Sequence, residues 1–426
     1  MIASSASPQT QRSSSPRPRT STNNADGVHN RETEGLVASE VFYIDGMRSP
    51  FGRAGAKGIY RDTRADDIAI HTLRGLLARN SAVPLDRIDD VAVAATTQEG
   101  DQGLTLGRTV ALAAGLPSSV PGFAIDRMCA GGMTAMTTLG SGIGWGQIEL
   151  AVAGGVEHMG RHPMEFAAKA NPAMLEQGLL TPESLAMGFT AEILHDRLPG
   201  ITKARTDAYA EQSQRRAAAA YEAVHIQPDL VAIDTPHGVA DRDEQLRPAT
   251  TLESLSSLAT PFREDGRVTA GNASPLTDGA TMSLLAGADA VARYGLTPSM
   301  RLVSYAFAGV SPDEMGLGPI PATEKALAKA GLRMSDIGAI EVNEAFAVQV
   351  LAFTDHFGID QTAEHLNPWG GAIALGHPLA SSGVRLAIQL ARQFELDHSI
   401  RFGLTTMCVG LGQGGTIIWE NPHYSA

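Results

Sequence analysis

Cys129-Ala-Gly-Gly-Met133 opens a stretch in which Ala135, Met136, Leu139 and Ile143 recur at helical spacing, and the stretch runs into Leu150-Ala-Val-Ala153, a short apolar run of strand character. The phrase returns later in the chain. His377-Pro-Leu-Ala-Ser-Ser-Gly383 opens a helix over Val384 to Phe394, which leads into Phe402-Gly-Leu-Thr-Thr406 and Cys408. A second echo is Ile88-Asp-Asp-Val-Ala-Val93 against Ile337-Gly-Ala-Ile-Glu-Val342, at an offset of 337 − 88 = 249. Each of these follows a helical pattern, Asp67 to Arg79 in one case and Ala322 to Ala330 in the other. From Val41 onward such short apolar runs alternate with longer helical ones, as in α/β proteins with sheets buried on both faces. Two homologous halves, each placing a reactive side chain at the start of its third helix, are the economical reading.

Residues 160 to 276 break the pattern. They are more polar and interrupted by nine prolines, with one clear helix from Asp207 to Ala223, and an insertion of this kind carries substrate contacts. Residues 1 to 38 are rich in Ser, Thr, Pro, Asn and Arg, cannot offset their own ordering entropy, and read as a disordered tail. The early Arg12, Arg17 and Arg19 resemble an organelle transit peptide, but Pro8, Pro16 and Pro18 oppose one.

The 426 residues are 43% hydrophobic and 19% charged, enough for two or three domains around a large core. Net charge is 33 − 46 = −13, so nucleic acid and anionic membranes have no electrostatic support as partners. No stretch reaches 18 uncharged apolar residues and no secretory segment is present, so the expected location is intracellular and cytoplasmic. Cys129 and Cys408 are the only cysteines, too few for a disulfide framework.

A buried cysteine is ordinarily a small inert hydrophobe. Cys129, however, follows a strand and starts a helix, where the macrodipole and free N–H groups lower a thiol pKa, and the adjacent glycines admit backbone or substrate. His377 begins the corresponding helix, where the dipole disfavours imidazolium and leaves a neutral base able to deprotonate a thiol. Cys408 ends a strand in Cys408-Val-Gly-Leu-Gly-Gln-Gly414, which matches neither phosphate-loop spacing, and a thiol there suits acid–base work. Asn343-Glu-Ala-Phe-Ala347 closes another strand, with an amide able to orient water or donate to an oxyanion.

Together with Gly376-His-Pro-Leu-Ala-Ser-Ser-Gly383, these motifs resemble the thiolase family in order and spacing, over residues 40 to 421. The phrases around His158 and Cys408 look most like the β-subunit thiolase of bacterial fatty-acid oxidation complexes. The resemblance implies a five-layer α-β-α-β-α sandwich of two duplicated βαβαβαββ halves, residues 39–159 with 277–296 and residues 297–426. A coenzyme A-binding loop domain is inserted at 160–276. It implies that Cys129 becomes acylated, His377 activates it, and Cys408 is the acid–base at the α-carbon. Asn343, through a water, and His377 form one oxyanion hole; the N–H groups of Cys129 and Gly410 form the other. Arg247 and Ser274 occupy coenzyme A positions. No metal and no permanently bound cofactor are implied, coenzyme A entering as co-substrate beside acyl-CoA. The family's partners are a second copy or a tetramer and, in some members, a hydratase/3-hydroxyacyl-CoA dehydrogenase subunit.

The chain departs from the family at three places. Ala186 stands where many short-chain acetoacetyl-CoA thiolases have His, which favours broader, degradative chain-length use. Ala380 replaces a Gly in the His377 motif, and Pro275 replaces a Gly after Ser274. The expectation is a degradative 3-ketoacyl-CoA thiolase of fatty-acid β-oxidation; the close alternative is an acetoacetyl-CoA thiolase.

Overall fold

The computed structural model describes residues 39–164 and 170–425; the expected tail lies outside them. Strands β1 (Val41–Arg48), β2 (Gly52–Arg53), β3 (Asp90–Ala94), β4 (Phe123–Ile125), β5 (Leu150–His158) and β8 (Thr277–Gly287) belong to the first half. β9 (Met300–Gly309), β10 (Ala339–Val342), β11 (Phe402–Val409) and β12 (Gln413–Glu420) belong to the second, and β6 (Ile233–Thr235) and β7 (Gly238–Ala240) form a hairpin in the insertion. The first half is ordered β4-β3-β5-β8-β1 and the second β10-β11-β12-β9. In both, a parallel pair (β3/β5, β10/β11) continues into antiparallel neighbours. The halves meet where β1 pairs with β9 through Phe42↔Arg301 and Tyr43↔Met300, which makes one ten-stranded sheet, nine strands in a continuous path and β2 paired with β8 beside it.

The duplication is incomplete. β3 and β10 begin 339 − 90 = 249 residues apart, as the sequence implied, but β4 has no full counterpart. Its place is taken by a single parallel bridge, Ile340↔Leu366. Asn367 turns to φ +41° and Pro368 has no N–H to donate, so the ladder stops after one residue.

Side-chain size along the strands builds the layers. Val91, Val93 and Val152 point outward to helices Ala65–Arg79 and Leu106–Ala114, packing with Ile68, Leu73 and Val110. The alternate positions Ala92, Ala151 and Ala153 point inward, and their small size lets helices Gly131–Gly144 and Ser382–Leu396 lie between the two sheet halves. Helices Pro319–Ala330 and Ala347–Phe357 cover the far face through Leu327, Leu351 and Phe353. Three helical and two sheet layers result, the expected five-layer sandwich.

The two central helices approach through glycine. A Cβ on Gly132 would lie 2.7 Å from the Ala380 carbonyl oxygen, and one on Gly155 closer still to the same atom. The Cys129 glycines therefore admit the backbone of the other half. Within the insertion, the expected helix starts earlier, at Lys203, because the Thr202 hydroxyl caps it by accepting from Arg205 N–H, and it runs to Glu222. A bidentate, buried Arg48–Asp243 pair, both N–O distances 2.7 Å, ties the insertion to β1, with Tyr221 OH donating to the same carboxylate.

Candidate active site

The turn after β4 is held by Asp126, whose Oδ1 accepts Met128 N–H at 2.6 Å. Met128 adopts φ +45°, a conformation costly for a residue with a long side chain, and then a short 3-10 turn, Met128–Ala130, passes into helix Gly131–Gly144. Cys129 lies on that turn, 8% exposed. The backbone N–H groups of Gly410 and of Cys129 itself lie near the sulfur and favour its ionised form. Gly410 starts the hairpin turn between β11 and β12, where Val409 faces Gln413.

The thiol does not have the lowered pKa that helix position alone implied. Burial, the largest influence, pushes it up to about 12, and the two N–H donors only moderate this. Forming a thiolate at pH 7 from such a state costs roughly 7 kcal/mol, so the resting group is a neutral thiol.

His377 is a buried, neutral base, as expected: burial and then the positive charge of Arg385 push its pKa down to about 3. It does not start the helix, however. Helix Ser382–Leu396 begins 382 − 377 = 5 residues later, after the extended Pro378 and a 3-10 turn, Leu379–Ser381. The ring is held by Ser382, whose Oγ lies 2.5 Å from Nδ1 while also donating to the Pro378 carbonyl at 3.0 Å. A hydroxyl has one proton to give, so Nδ1–H donates to Ser382 and Nε2 keeps its lone pair free.

Asn343 stands directly after β10, fully buried. Its Nδ2 is 3.4 Å from His377 Nδ1 and 3.3 Å from Nε2. Near-equal distances place the amide nitrogen over the ring, leaving the in-plane lone pair of Nε2 for a proton. Its Oδ1 accepts from Arg385 Nη2 at 2.8 Å. Cys408, 1% exposed, is the penultimate residue of β11; its thiol donates to Gln349 Oε1 at 3.6 Å, and burial followed by the neighbouring Cys129 raises its pKa.

One cavity of about 1030 Å³ is lined by Cys129, His377, Cys408 and Gly410, and also by Ser274 and the exposed Arg247. Asn343 stands behind His377. All seven residues singled out from the sequence thus gather at one place.

Sequence reasoning missed the carboxylates behind them. Glu157, fully buried, accepts from Thr96 N–H at 3.0 Å and Ala380 N–H at 3.2 Å, gripping the His377 segment from the opposite half. Glu344 accepts from Tyr209, Ser213, Asn367 and the Ile373 N–H, joining the Asn343 motif to the insertion. Charged residues next to motif glycines and at strand ends were the available signal.

The fold and the converging thiols and imidazole define a coenzyme A-thioester acyltransferase of the thiolase type. Residues 41–289 match the family described as Thiolase, N-terminal domain, and 296–421 match Thiolase, C-terminal domain. The chain belongs to the thiolase family. It is 41% identical over 394 residues to a β-ketoadipyl-CoA thiolase of Pseudomonas putida, covering 88% of this chain and 98% of that one. It is also 41% identical over 393 residues to a 3-ketoacyl-CoA thiolase of Saccharophagus degradans, covering 90% and 99%. The crystal structure of human mitochondrial 3-ketoacyl-CoA thiolase superposes with a TM-score of 0.83 at 32% identity, covering 91% of this chain and 100% of that one. The same human enzyme in complex with CoA gives 0.81 at 33%, covering 91% and 98%. No helix among the described residues is long and apolar enough to cross a membrane.

Proposed function

We propose that the protein is a degradative 3-ketoacyl-CoA thiolase that cleaves 3-ketoacyl-CoA with coenzyme A to acetyl-CoA and a shortened acyl-CoA in fatty-acid oxidation. The observation that carries this reading is the cavity in front of Cys129, walled by Met159, Met164, Leu185, Met187, Phe262 and Met315, which is roomy and apolar enough for an acyl chain longer than acetyl. His377 Nε2 takes the Cys129 proton as sulfur attacks the 3-keto carbon. The C2–C3 electron pair moves to the thioester oxygen, held by His377 and, through a water, by Asn343, and Cys408 then protonates C2 to release acetyl-CoA. The acyl group on Cys129, its carbonyl held by the N–H groups of Cys129 and Gly410, is cleaved by coenzyme A, whose thiol proton passes to the Cys408 thiolate, while His377 returns its proton to the departing Cys129 sulfur. Each oxyanion donor is worth about 2.7–4 kcal/mol. Arg247 and Ser274 contact coenzyme A in this reading.

A second reading is favoured by one observation. Arg53 also lines the cavity, and among the described residues its guanidinium has no hydrogen bond or ion pair, a feature suited to a carboxylate at the end of a ketoadipyl-type acyl chain. Thiolysis kcat/KM over acetoacetyl-CoA, longer 3-ketoacyl-CoA esters and 3-oxoadipyl-CoA separates the possibilities. Efficiency that rises or stays flat with chain length supports the first. A preference for the dicarboxylic ester that Arg53→Ala abolishes supports the second. Activity confined to the four-carbon substrate overturns both.

A further inference from the structure

Arg385 projects from helix Ser382–Leu396 into the protein interior, with none of its surface exposed. Its Nη2 donates to Asn343 Oδ1 at 2.8 Å and its Nη1 to Gln389 Oε1 at 2.6 Å, while Glu341 Oε2 lies 3.7 Å from Nη1. Burying a guanidinium is expensive, and the usual compensation, a close two-pronged carboxylate pair, is missing here. Its Nε and Glu341 Oε2 are without hydrogen-bond partners, and burial drives the Glu341 pKa up to about 8 against the pull of Arg385. The arrangement is therefore poor as a stabilising ion pair. What it does well is address Asn343.

We propose that Arg385 is a positioning residue for carbon–carbon bond cleavage, locking the Asn343 amide so that its Nδ2 faces His377. A guanidinium carries only donors, so the amide atom against it must be oxygen. A flipped amide would turn its N–H groups onto the guanidinium and present oxygen lone pairs to the His377 ring and to the water that bridges to the enolate, replacing a donor that orients both with a competing acceptor. The same buried charge acts on the His377 ring and favours the neutral imidazole. Sequence alone hides this: Arg385 follows the catalytic motif by two residues and reads as a charge on a solvated helix face.

The inference rests on Asn343 and His377 serving the enolate, and the test separates the two ideas. Turnover of acetoacetyl-CoA with coenzyme A reports bond cleavage; mass-spectrometric acylation of Cys129 from acetyl-CoA reports attack at the other oxyanion site. Arg385→Met and Arg385→Gln are expected to slow cleavage about 10²-fold while acylation stays within a few fold, which also shows that the variants are folded. Arg385→Lys, still a donor-only cation, is expected to recover most of the cleavage rate. In the Asn343→Ala background, Arg385→Met is expected to add no further loss. If Asn343→Ala itself leaves cleavage unchanged, the assignment of Asn343 is wrong. If Asn343→Ala is slow but the Arg385 variants are not, or if the two losses multiply, or if acylation falls in parallel, the positioning role is overturned.

Discussion

In the first half the central helix starts at Gly131, with Cys129 two residues ahead; in the second it starts at Ser382, with His377 five ahead. By that register, 382 − 131 = 251, the residue matching Cys129 is Ala380, which packs on Gly131 and Gly132 at the contact between the halves. A symmetric pair would have pressed nucleophile and base against each other's helices. The three-residue displacement brings both to the cavity wall instead. The means of support differ in the same way. Cys129, which must carry negative charge on sulfur, is surrounded by backbone N–H groups, whereas His377, which must keep one tautomer, is held by a side-chain acceptor.

The largest test of this asymmetry removes the nucleophile. Cys129→Ser is expected to lower thiolysis by about 10⁴-fold and to leave no acyl adduct in intact-mass spectra; an adduct persisting at another residue would sink the assignment. Cys408→Ser should retain acylation of Cys129 from acetyl-CoA yet lose about 10²–10⁴-fold in carbon–carbon cleavage. Ser382→Ala releases Nδ1 of His377, and a loss of about tenfold is expected in both acylation and cleavage, the worth of one good hydrogen bond. Equal rates in that variant would show that the tautomer is fixed elsewhere. Gly132→Ala places a methyl against Ala380 and should cost about 1–3 kcal/mol of stability, read as a drop in Tm.

The smallest effects lie in pH dependence. Since the folded His377 pKa lies near 3, kcat/KM should show no inflection near 6.5. A lowered folded value means that the unfolded chain binds the proton first, so stability is complete above about pH 6.5 and falls as pH drops toward 3. His377→Gln should therefore lose Tm less steeply than the parent between pH 6.5 and 4; identical slopes would contradict a buried neutral ring.

The duplicated halves were legible because strand and helix periodicities repeat at a fixed offset, and the cysteines and His377 because they interrupt otherwise apolar motifs. The missing partner of β4 was not, since it depends on Asn367 taking a left-handed turn just before Pro368. The direction of the Cys129 pKa was misjudged for a related reason: helix position is local, while burial comes from β11 and the opposite half. Arg385, Glu157 and Glu344 escaped because a charge in sequence looks solvated until the fold surrounds it.

A sulfur held near pKa 12 is also a sulfur that oxidants and alkylating agents find hard to use, because they need thiolate. In the unfolded chain the same thiol returns to about 8.5 and is more readily ionised. Docking of the two halves thus does more than assemble a catalyst. It sheathes the nucleophile, which becomes reactive only when a substrate carbonyl and His377 are in place to receive its electrons and its proton.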